Sequence, residues 1–420
     1  MTAATLCCAV TIMERRVDLK SGYPYWAVKN GLMHAFPPLQ DDASCEVAVI
    51  GGGISGALIA DELSRHGHEV LVLEQRDVAW GSTAASTALL QYEIDTHLVD
   101  LARQFGEVDA LLAYRACAEA IPRVQALAGE VRDVDFAPMR SLYYASKRRH
   151  ASVLREEHEL RLRHGFDVHW LDAPAIKADY GIEAPGAILS DLAARIDPYR
   201  MAYRLLQRLH KQGVGVHDRT AVESIEPTSR GVTLHLRDGH RVRARQVVMA
   251  AGYASQSWLK QRVAANRSSY ACITDPLDGD ALGSLADTLV WESARPYLYL
   301  RTTGDGRLLL GGEDDTIDVP ARRDARVEKK SRRLMKKLRG LLPHLQVEPA
   351  FAWAGTFAET KDGLPFFGPH AQYGPRVHFA MAYGGNGITY SMIGAGLLRA
   401  LIEKRRHPLA ELFSFGRLER

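Results

Sequence analysis

The chain has 420 residues, of which 46% are hydrophobic and 25% charged, with a formal net charge of +3. That length can bury large cores and points to two domains. The composition excludes a disordered or fibrous chain, and so slight a charge neither demands nor excludes an anionic partner.

Cys7, Cys8, Cys45, Cys117 and Cys272 show no metal-ligand spacing, and adjacent Cys7 and Cys8 make a poor disulfide pair, which fits a reducing compartment. The apolar run Thr2–Met13 follows no basic segment and precedes Glu14-Arg15-Arg16, so it does not read as a secretory signal. It is also too short to span a bilayer, and no later stretch reaches about 18 uninterrupted apolar residues. A soluble, cytoplasmic protein without a membrane span is expected.

Residues 1–44 read as a lead-in arm, in which Tyr23-Pro24-Tyr25-Trp26 and Phe36-Pro37-Pro38 interrupt any periodic element. Its aromatic residues are expected to pin it to the body of the protein. The apolar run Val47–Ile50 then reads as a buried parallel strand. It enters Gly51-x-Gly53-x-x-Gly56, and a helical pattern runs from Ile54 to His66. A dinucleotide diphosphate needs that order. The first glycine permits the tight turn, the second admits the phosphates to the backbone, and the third lets helix and strand pack closely. The helix start adds N–H donors and a positive dipole end. A second strand, His68–Glu74, ends in an acid 23 residues after Gly51, placed to take ribose hydroxyls.

The small, hydroxyl-rich stretch Ala79–Leu90 suits close contact with a flat ligand better than a packed layer. Helix is expected from His97 to about Glu130, with a break or new start at Pro122, and again over the charged segment Lys147–His164. Strands are expected at Met139–Ser146, Phe166–Leu171 and Ala187–Ser190. Asp197-Pro198 caps a helix over Tyr199–Gln212. Val214–Val216 and Ala221–Ile225 read as a strand pair, and Val232–Leu236 with Val242–Ala244 as a hairpin across Asp238-Gly239. Gln246–Gly252 is a strand ending in small residues on the ligand side of a doubly wound sheet. Pro296–Arg301 and Arg307–Gly311 flank a Gly-Asp-Gly turn, and alternation places Tyr297, Tyr299 and Arg301 on one face. Arg322–Leu342 reads as a basic amphipathic helix with Val327, Leu334, Leu338 and Leu341 inward. The last segment holds Asp362-Gly363-Leu364-Pro365, a strand at Val377–Ala382, then Gly384-Gly385-Asn386-Gly387 before an apolar helix.

Four motifs in order resemble the D-amino-acid-oxidase-like flavoenzymes, the group containing glycine oxidase, sarcosine oxidase and gamma-glutamylputrescine oxidoreductase. They are Gly51-x-Gly53-x-x-Gly56 with Glu74; Trp80-Gly81-Ser82-Thr83; Ala250-Ala251-Gly252; and Asp362-Gly363-Leu364-Pro365 with Gly384-Gly385-Asn386-Gly387. The resemblance implies bound FAD and oxidation of the C–N bond of an amine or amino-acid-like small molecule. It implies an α/β fold: a Rossmann-like FAD-binding domain from residues 45–100, 186–265 and 346–415, interleaved with an α+β substrate domain from residues 101–185 and 266–345 on a mostly antiparallel sheet. Expected cofactor contacts are Gly51, Gly53, Ile54, Ser55, Gly56, Glu74 and Gln75, then Ser82, Thr83, Ser86, Thr87 and Ala88. Val222, Ala251 and Gly252 follow, then Gly385, Asn386, Gly387, Ile388 and Thr389. The Gly384–Gly387 turn would offer N–H groups to the negative charge that develops on a reduced flavin.

The departures bear on the substrate. D-amino-acid oxidases carry a carboxylate-clamping arginine near Gly-Leu-Pro, where this chain reads Ala358-Glu359-Thr360-Lys361-Asp362. The lysine that sarcosine oxidases place in the glycine turn is Thr389 here, and their oxygen-activating lysine falls near Leu309. Their flavin-linking cysteine falls near Gly355, and Ser82–Thr87 holds no histidine, so non-covalent FAD is expected. Candidate catalytic or substrate-binding residues are Arg301 with Tyr297 and Tyr299, then Glu359 and Lys361, then His97 as a base. The electron acceptor, oxygen or a carrier, stays open. Two rivals remain. One is a flavin dehydrogenase of a hydroxy acid or polyol phosphate. The other is a tRNA-modifying flavoprotein, although the basic helices also carry Glu328, Glu156, Glu157 and Glu159, so nucleic acid is not the expected partner.

Overall fold

The computed structural model describes residues 18–316 and 318–419. The Thr2–Met13 run and the Cys7-Cys8 pair lie outside them. Ala43–Ile50 is central to the first sheet, with Val70–Leu73 on one edge and Arg241–Met249 on the other, both parallel to it. Val47, Ala48 and Val49 are fully buried. A strand paired on both edges and covered on both faces has no polar position to fill, hence an unbroken apolar run.

The sheet continues outward in the order Phe366–Pro369, Val377–Met381, Arg241–Met249, Ala43–Ile50, Val70–Leu73, Gly215–His217. The sheet is mixed, because the first pair is antiparallel and an antiparallel arm, Val222–Pro227 with Val232–Leu236, hangs from Arg241–Met249. The expected pairing of Val214–Val216 with Ala221–Ile225 is not formed. Gly215–His217 instead joins the buried Val70–Leu73 edge, and Val222–Pro227 pairs with Val232–Leu236. Helices Ile54–Arg65, Pro198–Lys211 and Gly387–Ile402 bury their apolar faces in one core with Val47, Val49 and Val72. Ala48, Ile50 and Leu71 face a second core with Leu234 and Phe379.

The second sheet has nine strands and is antiparallel except where Thr288–Glu292 runs parallel to Ala137–Tyr144. The basic helix Val327–Leu341 lies on it through Leu334 and Leu338. Leu89–Gln91, Ala187–Arg195 and Pro349–Glu359, which fall in ranges expected for the nucleotide half, hydrogen-bond into this second sheet.

The expected break at Pro122 is absent, and one helix of 25 residues runs from Glu107 to Val131. An interior proline costs ~3 kcal/mol. Ile121 and Val124 are almost fully buried beside it, and each such side chain returns about 1.5–3 kcal/mol. The boundary falls instead at Gly106, whose φ of 85° ends the preceding helix Leu98–Phe105. Among the described residues no helix is long and apolar enough to cross a membrane.

Candidate functional site

The two sheets border a cleft of about 1650 Å³. Small-molecule sites typically occupy about 300–1,000 Å³, so the cleft has room for a dinucleotide and a substrate together. At one end, Gly51, Gly53, Ile54 and Ser55 line it with Glu74 and Gln75. Gly51 has a φ of 115°, and a Cβ there would stand 2.4 Å from the Ala250 carbonyl oxygen. Gly56 does not reach the cleft. It lets helix and turn meet, since its Cβ would lie 1.9 Å from the Gly51 carbonyl oxygen. Only glycine satisfies both positions.

Glu74 accepts from Gly52 N–H at 2.8 Å and from Arg76 N–H at 3.0 Å. Burial pushes its carboxyl upward against these two donors. Each carboxylate oxygen retains a further lone pair for a ribose hydroxyl. Val222, from the antiparallel arm, closes this end.

Ser82, Thr83, Ser86, Thr87 and Ala88 line the middle of the cleft. Thr83 Oγ1 caps the helix by accepting from Ile54 N–H at 3.0 Å. Trp26 and Trp353 indole N–H groups donate to the carbonyls of Ser86 and Ala85 at 2.7 and 2.9 Å, so the lead-in arm holds this loop against the sheet. Lys20, also from the arm, lines the cleft and stacks over Trp80 at 4.1 Å. Burial lowers its ammonium to about 8.

Ala251, Gly252, Gly385, Asn386, Gly387, Ile388 and Thr389, also expected cofactor contacts, line the same cleft. Asn386 donates to the carbonyls of Gln91 and Glu93 at 3.0 and 2.9 Å, and Gly385 N–H donates to Asp95 Oδ2 at 2.9 Å. The glycine turn is thus locked to loop 91–97. The first N–H groups of Gly387–Ile402 have no intrahelical acceptors and belong to cleft-lining residues. Asp362 serves structure here: its carboxylate accepts from the buried Arg417 at 2.7 Å and from Leu364 N–H at 3.0 Å. Two glycine-cradled helix starts, a cleft-lining acid and a hydroxyl-rich loop along one cleft fit a bound FAD.

At the other end the candidate substrate residues separate. Tyr297 and Tyr299 line the cleft, their ring centroids 5.7 Å apart. Arg301 does not. It is fully buried and donates to the carbonyls of Thr87, Thr302 and Ile196 at 2.8, 3.0 and 3.0 Å. Burial lowers its pKa to about 10. With its donors committed to backbone oxygens it cannot clamp a substrate. Glu359 lies outside the cleft lining and pairs with Arg267 at 3.0 Å, and Lys361 is exposed on a turn. His97 stands one residue deep, its Nε2 3.0 Å from the Tyr143 hydroxyl.

Beside Tyr297 and Tyr299 the cationic group in the cleft is Arg295. It lines the cavity with its guanidinium 4.4 Å from the Tyr297 ring centre. Among the described residues no carboxylate forms an ion pair with it. Burial opposes its charge, but Tyr297, Asp95 and Tyr143 outweigh burial and hold it upward. Arg295 lies in a bend before the strand Leu298–Thr302, beyond the reach of strand alternation. Asp95, Tyr143, Trp291 and Tyr253 complete this wall. Asp95 and Tyr143 carried no motif of their own.

A family model described as FAD dependent oxidoreductase matches residues 46–401. Gamma-glutamylputrescine oxidoreductase of Escherichia coli (strain K12) is 26% identical over 396 residues, covering 90% of this chain and 88% of that protein. A putative Rieske 2Fe-2S iron-sulfur protein of Bacillus subtilis (strain 168) is 24% identical over 406 residues, covering 94% and 75%. Among solved structures, glycine oxidase from Geobacillus kaustophilus superposes with a TM-score of 0.73 at 21% identity, covering 89% of this chain and 98% of that one. L-proline dehydrogenase from P. horikoshii gives 0.76 at 18% identity, covering 91% and 99%.

Proposed function

The chain belongs to the FAD dependent oxidoreductase family, and from that premise we propose that it oxidises the C–N bond of an amine or amino-acid-like small molecule. One observation carries this reading. Arg295 and Asp95, opposite in charge, stand among aromatic walls at the end of the cleft nearest the glycine turn. Such a wall can seat a substrate with an anionic group at one end and an amine at the other. FAD, when bound, supplies the acceptor for the hydride leaving the substrate carbon. Gly51 and Gly53 would hold its diphosphate and Glu74 its ribose, and the N–H groups of Gly387, Ile388 and Thr389 would be available to the flavin. Attachment is non-covalent, because Gly355 and Ser82–Thr87 offer no cysteine or histidine. Leu309 is fully buried in the core, which favours a dehydrogenase or slow oxidase over an efficient oxidase. We assign FAD binding to the parallel-centred sheet and its helices, and substrate binding to the nine-stranded sheet.

Arg295→Ala should raise KM for anionic amines roughly 30-fold, the loss of one desolvated charge-paired contact, while amines with an uncharged apolar tail such as butylamine keep theirs. Product identification by mass spectrometry should yield a carbonyl compound with ammonia or a smaller amine. Carbonyl formation from a hydroxy acid, with none from amines, would sink the reading.

A further inference from the structure

We propose that Tyr143, backed by His97, is the group that takes the proton from the substrate's ammonium in the cleft. The proposal rests on the reading that the substrate is an amine. Hydride loss from the carbon needs the nitrogen lone pair, and an ammonium has none to give. Tyr143 is the phenol of the substrate wall whose hydroxyl meets an imidazole. Its ring is stacked on Trp291 at 3.6 Å with 9° between the planes, so its direction is fixed. Its oxygen lies 3.0 Å from His97 Nε2. Tyr143 lines the cleft and His97 does not, so a proton from the substrate reaches the imidazole only through the phenol.

His97 sits at the N-cap of Leu98–Phe105, where the positive helix end disfavours an imidazolium. Burial acts the same way and lowers its pKa. Neutral His97 therefore accepts at Nε2 from the Tyr143 hydroxyl. The charged groups around the pair are known. Glu157 accepts from Leu98 and Val99 N–H at 2.9 and 3.0 Å, and Arg161 pairs with Glu157. Asp100 stands on the same helix, and Arg295 and Asp95 face Tyr143 from the cleft. Glu157 and Asp100 favour an imidazolium while Arg161 and Arg295 oppose it, so the imidazole can hold a proton briefly and release it.

The step balances without an oxidant. An N–H bond of the ammonium breaks, its proton joins the Tyr143 oxygen, and the phenolic proton moves to His97 Nε2. The electron pair stays on the substrate nitrogen. Desolvation among the aromatic walls lowers the ammonium pKa toward that of the imidazole, which makes the transfer attainable.

The test is anaerobic stopped-flow reduction of the holoenzyme by sarcosine, glycine, L-proline and putrescine across pH. Tyr143→Phe keeps the stack on Trp291 and should slow reduction about 100-fold at neutral pH. Its rate should then climb about tenfold per pH unit until the free amine titrates, where it approaches wild type. His97→Gln should show the same rescue at high pH. Independently, ¹⁵N-imidazole spectra of the wild-type holoenzyme should show His97 neutral at pH 7 with Nε2 as acceptor. A Tyr143→Phe rate that parallels wild type at every pH overturns the proposal and leaves the amine reading standing, as does a protonated His97 at pH 7. If neither these four amines nor gamma-glutamylputrescine reduces the wild-type flavin, the amine reading fails and takes this proposal with it.

Discussion

Gly56→Ala protein is expected to purify without FAD, its 450 nm absorbance absent and its FAD affinity lowered at least about 100-fold. The cause is local. The added Cβ would fall 1.9 Å from the Gly51 carbonyl oxygen, far inside contact distance, so either the turn or the helix must move. The turn cannot yield alone, because Gly51 N–H donates to the Leu73 carbonyl at 2.8 Å and Gly52 N–H to Glu74. Overpacking of this kind costs about 1–3 kcal/mol in stability. The larger effect is on binding, since helix start and turn together make the proposed diphosphate cradle. Gly340→Ala is the control: nothing lies within 4 Å of a Cβ there, and in the exposed face of a helix alanine should stabilise by about 0.5–1 kcal/mol. Absorbance ratios and thermal melts of both variants decide the matter. A yellow Gly56→Ala protein with wild-type affinity would remove the glycine turn from the cofactor site.

Arg161→Met should destabilise the fold by about 3–5 kcal/mol, a large part of the 5–15 kcal/mol that holds a typical domain. Arg161 and Glu157 are both fully buried and lie 2.7 Å apart, with Glu93 at 3.8 Å from the same guanidinium. Without Arg161, two buried carboxylates face each other unpaired. Burial would raise Glu157, but Arg161 and the Leu98 and Val99 N–H groups outweigh burial and hold it below its usual range. Burial wins at the more distant Glu93, which is raised. The two directions follow the two distances.

The sign of the pH dependence follows. A carboxylate held low in the folded state stabilises above its unfolded pKa of about 4.3, and that contribution is lost as pH falls through the folded value. In Arg161→Met Glu157 joins Glu93 above the unfolded value, so lowering the pH relieves the penalty. Denaturant titrations should therefore show the gap between wild type and Arg161→Met widest at pH 7 and narrower at pH 5. An equal gap at both pH values would mean that Arg161 acts by packing alone. Glu157→Gln added to Arg161→Met should recover part of the loss, since the sites are coupled.

Local patterns carried the parts of this protein that are themselves local. The Gly51–Gly56 turn was legible because strand, glycines and helix are consecutive and each residue type answers one steric demand. Glu74 was legible because a strand end fixes its distance from the turn. The substrate end was not, because its geometry comes from distant segments. Alternation put Arg301 on the right face but could not say that the carbonyls of Thr87 and Ile196 would absorb its guanidinium. It could not show that Arg295 would face the cleft beside the two tyrosines in its place. Glu359 looked available until the neighbouring strand supplied Arg267. Loop 91–97 carried no motif, and its place depends on Asn386 from far along the chain. Pro122 misled because propensity weighs one lost hydrogen bond and does not see the core that the helix fills.

Anaerobic titration of the purified holoenzyme tests the proposed coupling of an FAD site to an amine-oxidising cleft. Oxidised-flavin absorbance near 450 nm should bleach on addition of one or more of glycine, sarcosine, L-proline, putrescine or gamma-glutamylputrescine. It should stay unchanged with lactate, 2-hydroxyglutarate or glycerol 3-phosphate. Bleaching by a hydroxy compound while every amine leaves the spectrum untouched would contradict the account.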